Sequence, residues 1–80
     1  MERNPVKSSD LKSVGYDEAS NIFEVEFLDK SIYQYSRVPV DVYENLMNAV
    51  SKGKYFAKFI KNNRFYGCQQ IFPTLKFFRV

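Results

Sequence analysis

The sequence predicts a small α+β domain, and three observations lead to this fold class. The 80-residue length suits one compact domain with a single core. Apolar residues alternate with a period of two in the first half of the chain and recur at helical spacing in the second half. Aromatic residues make up 18% of the chain, so their rings are expected to form much of that core. Strands should therefore come first and helices after them.

The strand pattern occupies residues 11–17, 22–28 and 31–37. In the second of these segments the apolar residues share one face, while Glu24 and Glu26 share the other face and are expected to point to solvent. Short polar turns separate the three segments. The sequence therefore predicts a three-stranded antiparallel β-meander.

The helical pattern begins after Pro39, a residue suited to a helix entry. Apolar residues recur at i, i+3/i+4 and i+7 as far as Val50, and Gly53 is the expected stop of this first helix. A second short helix is predicted from residue 54 onward, with aromatic side chains on one face and lysines on another. The meander is thus expected to be followed by two short α-helices.

The chain is expected to form a single domain with three parts. These are an N-terminal arm over residues 1–7, a core over residues 8–64 and a C-terminal extension over residues 65–80. Gly67 and Pro73 act as breakers within the extension. The extension could add one or two strands to the sheet or pack across it.

Charge is distributed unevenly along the chain. Residues 1–44 contain all nine acids and five cations, a net charge of −4. Residues 45–80 contain seven cations and no acid, a net charge of +7. A basic side of this kind could attract an anionic partner, although the two halves could also simply attract each other.

A set of short motifs between Val6 and Arg64 has a distinctive order and spacing. The motifs are Ser8–Ser9, Gly15–Tyr16–Asp17, Tyr33-x-Tyr35, Val38–Pro39, Tyr43, Ala49 and Ser51-x-Gly53-x-Tyr55–Phe56. Together they resemble the KTSC domain family, whose domain is found at the C-terminus of some lysyl-tRNA synthetases and as small free-standing bacterial proteins. The resemblance implies an RNA-binding role, suggested by the association with the synthetase. Two departures are that Lys30 replaces a usual glycine and that residues 65–80 extend past the usual end.

The basic segment Ser51–Arg64 is the first candidate site. It carries five cations and no acid: Lys52, Lys54, Lys58, Lys61 and Arg64. Such residues could contact phosphates and supply sequence-independent affinity for nucleic acid. The alternative is a solvated face opposite an aromatic core face. The two interpretations stay open, because solvated faces usually mix both signs of charge.

The loop between the two predicted helices is the second candidate site. Gly53 could expose backbone N–H groups beside two lysines and, together with Ser51, form an anion nest. The structural alternative is that Ser51 caps the second helix and Gly53 relieves backbone strain. The two interpretations are compatible with each other.

Tyr33 and Tyr35 form the third candidate site. Both lie on one face of the third predicted strand, where they could stack nucleic-acid bases. The alternative is that both are core rings with hydroxyl groups at the rim. Alternation by itself does not decide between these possibilities.

Several residue types needed for catalysis are missing. The chain has no histidine, and Cys68 is its single cysteine. We therefore expect no enzyme activity, no cofactor and no metal site. A lone cysteine and the absence of any run of roughly 18 apolar residues predict a cytoplasmic protein without membrane association.

Two functional hypotheses follow. The first is a non-catalytic nucleic-acid-binding module, with RNA preferred over DNA because of the family resemblance alone. The second is a protein-interaction, accessory or inhibitory module that docks on an acidic protein surface or forms a homodimer. Its contacts would come from apolar residues of the C-terminal extension: Phe72, Leu75, Phe77 and Phe78.

Overall fold

A computed structural model describes residues 3–71, which form an antiparallel sheet with helices packed on one face. The strands, which follow chain order across the sheet, are β1 (Asn4–Pro5), β2 (Leu11–Asp17), β3 (Ile22–Phe27), β4 (Ile32–Ser36) and β5 (Gly67–Ile71). Between β4 and β5 lie α1 (Val40–Met47) and α2 (Lys52–Tyr55), which continues as a π-helix over Phe56–Lys61. We call residues 52–61 together the second helix.

The predicted α+β class is confirmed, but a three-stranded meander undercounts the sheet. The three predicted strands correspond to β2, β3 and β4, and two edge strands join them. β1 lies in the N-terminal arm and is only two residues long, too short to show a period. β5 lies in the C-terminal extension and pairs with β4 from Gly67 opposite Ser36 to Ile71 opposite Ile32. Its sequence, GCQQI, does not alternate, so pairing with β4 rather than periodicity defines it.

The core lies between the sheet and the helices. Alternation along the strands directs apolar side chains to the helix side, where they meet apolar residues of both helices. The buried cluster contains Leu11, Val14, Phe23, Val25, Tyr35, Val38, Leu46, Phe56 and Ile60. Phe56 lies at its centre, with ring centroids 5.6 Å from both Phe27 and Tyr35. Burial of a side chain of this size contributes about 2–3 kcal/mol.

The first helix ends earlier than the sequence predicted. α1 stops at Met47, and Val50 is fully exposed. Gly53 is therefore not the stop of α1 and lies instead in the first turn of α2. Ser51 explains the difference, because its Oγ accepts a hydrogen bond from the backbone N–H of Lys54 at 3.3 Å. A serine cap of this kind starts a new helix before the apolar pattern of the first one has run out.

The turn between β3 and β4 is strained at Lys30. This residue has a φ of 75°, a left-handed conformation that glycine adopts more readily. Its N–H donates to the carbonyl of Phe27 at 2.9 Å. Asp29 supports the turn, since its Oδ1 accepts from the N–H and hydroxyl of Ser31 at 2.9 and 2.6 Å. A glycine at position 30 would adopt this φ without the strain of a side chain.

Candidate nucleic-acid interface

The basic segment Ser51–Arg64 presents most of its cations to solvent. Four of the five are exposed, namely Lys54, Lys58, Lys61 and Arg64. Lys52 is half-buried, and its Nζ donates to the carbonyl of Ala49 at 3.4 Å. Within residues 3–71 none of the five forms an ion pair, because every recorded pair involves Arg3 or Lys12. Their charges are therefore available to an anionic partner.

The acids of β3 lie on the opposite face of the sheet, which we call the outer face. The sequence placed both glutamates in solvent, and this is wrong for Glu24, which is only 6% exposed. Arg3 forms an ion pair with Glu24 and lies 3.7 Å from Glu26. Gln34 donates to the second oxygen of Glu24 at 2.7 Å. Because the N-terminal arm brings Arg3 to this face, Glu24 is both buried and satisfied.

A cleft of about 800 Å³ opens between the sheet and the second helix. Its apolar lining includes Phe27, Tyr33 and Phe56, contributed by both elements. The carboxylates of Asp10 and Asp29 lie at its lining as well. These two residues occupy adjacent turns at one end of the sheet, where the N–H of Leu28 donates to the carbonyl of Asp10 at 3.2 Å. The cleft thus combines aromatic surface with hydrogen-bond acceptors.

The second helix approaches β2 closely at this cleft. A Cβ at Gly53 would lie 3.1 Å from Ser8 Oγ and 3.3 Å from Asp10 Oδ2, so glycine permits the contact. Ser8 Oγ in turn accepts hydrogen bonds from the N–H groups of Asp10 and Leu11 at 3.1 and 3.2 Å. Two of the motifs singled out in the sequence, near Ser8 and near Gly53, therefore meet in space.

The close approach of Gly53 to Ser8 and Asp10 favours a structural role for Ser51 and Gly53 over the predicted anion nest. Ser51 caps α2, as that interpretation requires. The space beside Gly53 is bordered by the Asp10 carboxylate, so an external anion would meet a negative charge there. Gly53 consequently forms part of the cleft wall, whereas Ser51 serves as the cap of α2.

The two candidate tyrosines have different environments. Tyr35 is 5% exposed and packs against Phe23 and Phe56, with ring centroids 6.3 and 5.6 Å away. Burial raises the pKa of its hydroxyl, and a hydrogen bond to Cys68 adds to the shift. Tyr33 is only half-buried, and its ring meets Phe27 edge-on at 5.7 Å in the cleft lining. Tyr33 therefore remains a candidate for stacking, whereas Tyr35 is a core residue.

The three lysines that the sequence predicts to form one row, Lys54, Lys58 and Lys61, do not all line the cleft. Lys61 lines the cleft together with Gly53 and Ala57, whereas Lys54 and Lys58 lie outside its lining. The sequence prediction assumed an α-helical period, but the segment from Phe56 onward is a π-helix. Its i→i+5 bonding widens the turn and changes the direction in which the following side chains project.

Sequence reasoning missed the cleft and the carboxylates that border it. No sequence pattern connects Asp10 with Asp29, because the two residues lie 19 positions apart in the chain. Phe27 was recognisable as core-facing by alternation, but not as part of an open surface. The proposed protein-interaction residues Phe72, Leu75, Phe77 and Phe78 lie outside the described residues.

Residues 3–71 contain neither a metal-binding cluster nor a membrane-spanning helix. No group of three or more His, Cys, Asp or Glu side chains there is arranged to hold a metal ion. No helix in the same region has the length and apolar character needed to cross a membrane.

Known proteins are similar in sequence to this chain over most of its length. A family model described as the KTSC domain matches residues 7–66. A protein from Stutzerimonas stutzeri is 41% identical over 61 residues, which cover 76% of this chain and 86% of that protein. A lysine–tRNA ligase from a Nostoc species is 46% identical over 55 residues, 69% of this chain. The match covers only 10% of the ligase, so this chain corresponds to a small part of it.

A solved structure shares the fold. The crystal structure of a KTSC domain protein from Yersinia pestis matches with a TM-score of 0.84 and 39% sequence identity. The alignment covers 89% of this chain and 97% of the other. Since the family model and this structure each match most of the sequence, the chain belongs to the KTSC domain family.

Proposed function

We propose that this chain is a non-catalytic nucleic-acid-binding module that contacts phosphates through the basic segment Ser51–Arg64. The observation that carries the proposal is the difference in ion pairing between the two faces of the sheet. On the outer face, Glu24 and Glu26 are paired with Arg3. On the helix side, four exposed cations form no ion pair within residues 3–71. Cations left unpaired in this way can neutralise phosphates and release their counterions.

RNA is the first nucleic acid to test. One consideration supports it: the similarity to a region of lysine–tRNA ligases, on which the RNA-binding role implied by the family resemblance also rests. This consideration does not depend on the charge argument, which applies equally to DNA. Contact with three or four phosphates of a single strand predicts a slope of about −2 to −3 in a plot of log affinity against log salt.

The experiment removes charge from the proposed interface and compares it with an equal removal elsewhere. Lys54→Gln combined with Lys58→Gln should lower affinity for a short single-stranded RNA and reduce the salt slope by about 1.4. The matched control is Lys7→Gln combined with Arg37→Gln, which removes two exposed cations that lie outside the basic segment and form no ion pair within residues 3–71. Affinity is measured by fluorescence anisotropy across a salt titration, with heparin as a competitor.

Two results would reject the proposal. One is an equal loss of affinity in both double variants, because net charge alone would then explain the binding. The other is weak binding of the parent protein to RNA, DNA and heparin alike, with no dependence on Lys54 or Lys58. The lysines would then be an ordinary solvated helix face.

A further inference from the structure

The cleft between the sheet and the second helix has the size and lining of a site for a small planar molecule. Its volume of about 800 Å³ falls within the range of roughly 300–1,000 Å³ that is common for small-molecule sites. Tyr33 and Phe27 are both half-buried and border this space, so part of their ring surface is accessible to a ligand. Stacking of a base on such a ring contributes about 1–3 kcal/mol.

The polar groups of the cleft select ligands that donate hydrogen bonds. Asp10 and Asp29 present carboxylates, which accept hydrogen bonds and do not donate them when ionised. The hydrogen bonds from Ser31 lower the pKa of Asp29, so its carboxylate is ionised at neutral pH. Within residues 3–71 the recorded hydrogen bonds to Asp29 all end on Oδ1, which leaves Oδ2 as an acceptor for a ligand. Guanine, adenine and cytosine carry exocyclic amines that match these acceptors, whereas uracil does not.

Lys61 distinguishes between two kinds of amine-bearing ligand. A polyamine would suit the carboxylates and aromatic rings, but its cations would be repelled by the Lys61 ammonium in the same cleft. A nucleotide suits all three features, because its base reaches the rings and carboxylates while its phosphate reaches a cation. Lys61 also belongs to the basic segment, so a nucleic-acid strand held outside the cleft by Lys54 and Lys58 would pass its entrance.

We propose that this cleft receives one unpaired, amine-bearing nucleobase, guanine being the best match, from an RNA held by the basic segment. The proposal rests on the RNA-binding function proposed above. Guanine presents a ring N–H beside its amine. The two donors can meet both oxygens of the Asp10 carboxylate, or one of them can meet Oδ2 of Asp29, whose Oδ1 already accepts from Ser31. Phosphate contacts would then supply affinity, while the cleft would supply a preference among bases.

The test begins with nucleotides too small to span the basic segment. Guanosine 5′-monophosphate, uridine 5′-monophosphate, ribose 5-phosphate and spermidine are titrated separately into the full chain, and backbone amide signals are followed by NMR. We expect guanosine monophosphate to shift the amides of Gly53, Ala57 and Cys68, which line the cleft. Uridine monophosphate should bind at least several-fold more weakly, and ribose phosphate should leave these amides unchanged.

A matched pair of variants tests the role of the carboxylate. Asp29→Asn keeps an oxygen for the hydrogen bonds from Ser31 but replaces the other acceptor with a donor. It should weaken guanosine monophosphate binding about tenfold, the ratio expected for loss of roughly 1.4 kcal/mol from a charged hydrogen bond. The control is Asp17→Asn, which makes the same change of charge at another exposed turn where Asp17 accepts from Ala19 and Ser20. This control should bind as the parent protein does.

The outcomes separate the cleft from the basic segment. If removal of Lys54 and Lys58 weakens RNA binding but no nucleotide shifts the cleft amides, the base site is rejected and the RNA-binding function stands. A second outcome is that guanosine monophosphate binds in the cleft but the substitution of Lys54 and Lys58 leaves RNA affinity unchanged. The nucleotide site then stands, and the function proposed for the basic segment is rejected. Shifts caused by spermidine alone would also reject the base site. Equal affinity of Asp29→Asn and Asp17→Asn for guanosine monophosphate would show that Asp29 does not contact the ligand.

Discussion

The two faces of the sheet use charge in opposite ways. On the outer face, Arg3 pairs with Glu24 and approaches Glu26, and Gln34 completes the hydrogen bonding of Glu24. On the helix face, the basic segment Ser51–Arg64 carries exposed cations with no ionic partner in residues 3–71. The comparison teaches that a charge in this fold is either paired or left exposed to solvent, according to whether the fold itself supplies a counter-charge.

The difference has a direct energetic basis. A buried carboxylate such as Glu24 requires a cation and hydrogen bonds, because an unpaired charge costs several kcal/mol to bury. An exposed lysine stays hydrated and contributes little to folding. Substitutions on the outer face should therefore change stability, and substitutions of the exposed lysines should leave it unchanged.

The largest effect is expected from the aromatic support beneath the basic segment. Phe56→Ala should lower the free energy of unfolding by about 3–5 kcal/mol, because it leaves a cavity among Phe27, Tyr35 and Phe23. Urea denaturation followed by circular dichroism measures the loss. Phe59→Ala is the control, since that ring is 44% exposed and should cost less than about 1.5 kcal/mol. Similar losses in the two variants would mean that Phe56 does not anchor the second helix.

The next effect tests the outer face. Arg3→Ala should lower the free energy of unfolding by about 2 kcal/mol, less than the 3–5 kcal/mol typical of a fully buried pair because Arg3 is 27% exposed. The loss should shrink when Glu24→Gln is already present, since no buried charge is then abandoned. Lys54→Ala, measured by the same urea titration, should change stability by less than about 0.5 kcal/mol. If Arg3→Ala has the same free energy of unfolding as the parent protein, the ion pair between Arg3 and Glu24 does not stabilise the fold.

An alkaline titration probes the buried hydroxyl group of Tyr35, which lies on the helix face of the sheet. Burial raises the pKa of Tyr35 above its ordinary value of 10.0. The unfolded chain therefore loses this proton at lower pH than the folded chain does, and the stability it contributes is present below about pH 10 and lost above it. The loss for one proton approaches 1.4 kcal/mol per pH unit. Tyr35→Phe should show a shallower decline in thermal stability between about pH 9 and pH 11, and identical slopes would contradict the burial argument.

The smallest effect concerns the turn that joins β3 and β4. Lys30→Gly should raise the free energy of unfolding by about 1 kcal/mol, because glycine adopts the φ of 75° without the strain of a side chain. Thermal unfolding measures the gain. Asp29 and Ser31 should keep their turn hydrogen bonds in the variant, so an unchanged backbone amide signal of Ser31 in NMR provides a check that the turn is intact. A decrease in stability would show that the flexibility of glycine in the unfolded chain outweighs the relief of strain.

Particular residues show where sequence reasoning succeeded and where it did not. Alternation correctly directed Val25 to the core, because strand period is a local property. The same alternation placed Glu24 in solvent, since it cannot reveal that Arg3 folds across the outer face. The helical period predicted one row of lysines, but the π-helix turned Lys61 into the cleft. Gly53 was expected to stop a helix, and its role emerged only from the approach of Ser8 and Asp10.

The sequence by itself determined the α+β class, the three inner strands, the presence of two helical segments and the basic character of residues 51–64. Each of these follows from periodicity, residue preference or charge over a few neighbouring residues. Only the tertiary structure decided the edge strands, the burial of Glu24, the division of the lysines and the cleft between Asp10, Asp29 and the second helix. These features depend on contacts between residues far apart in the chain, and local patterns contain no information about which distant groups will meet.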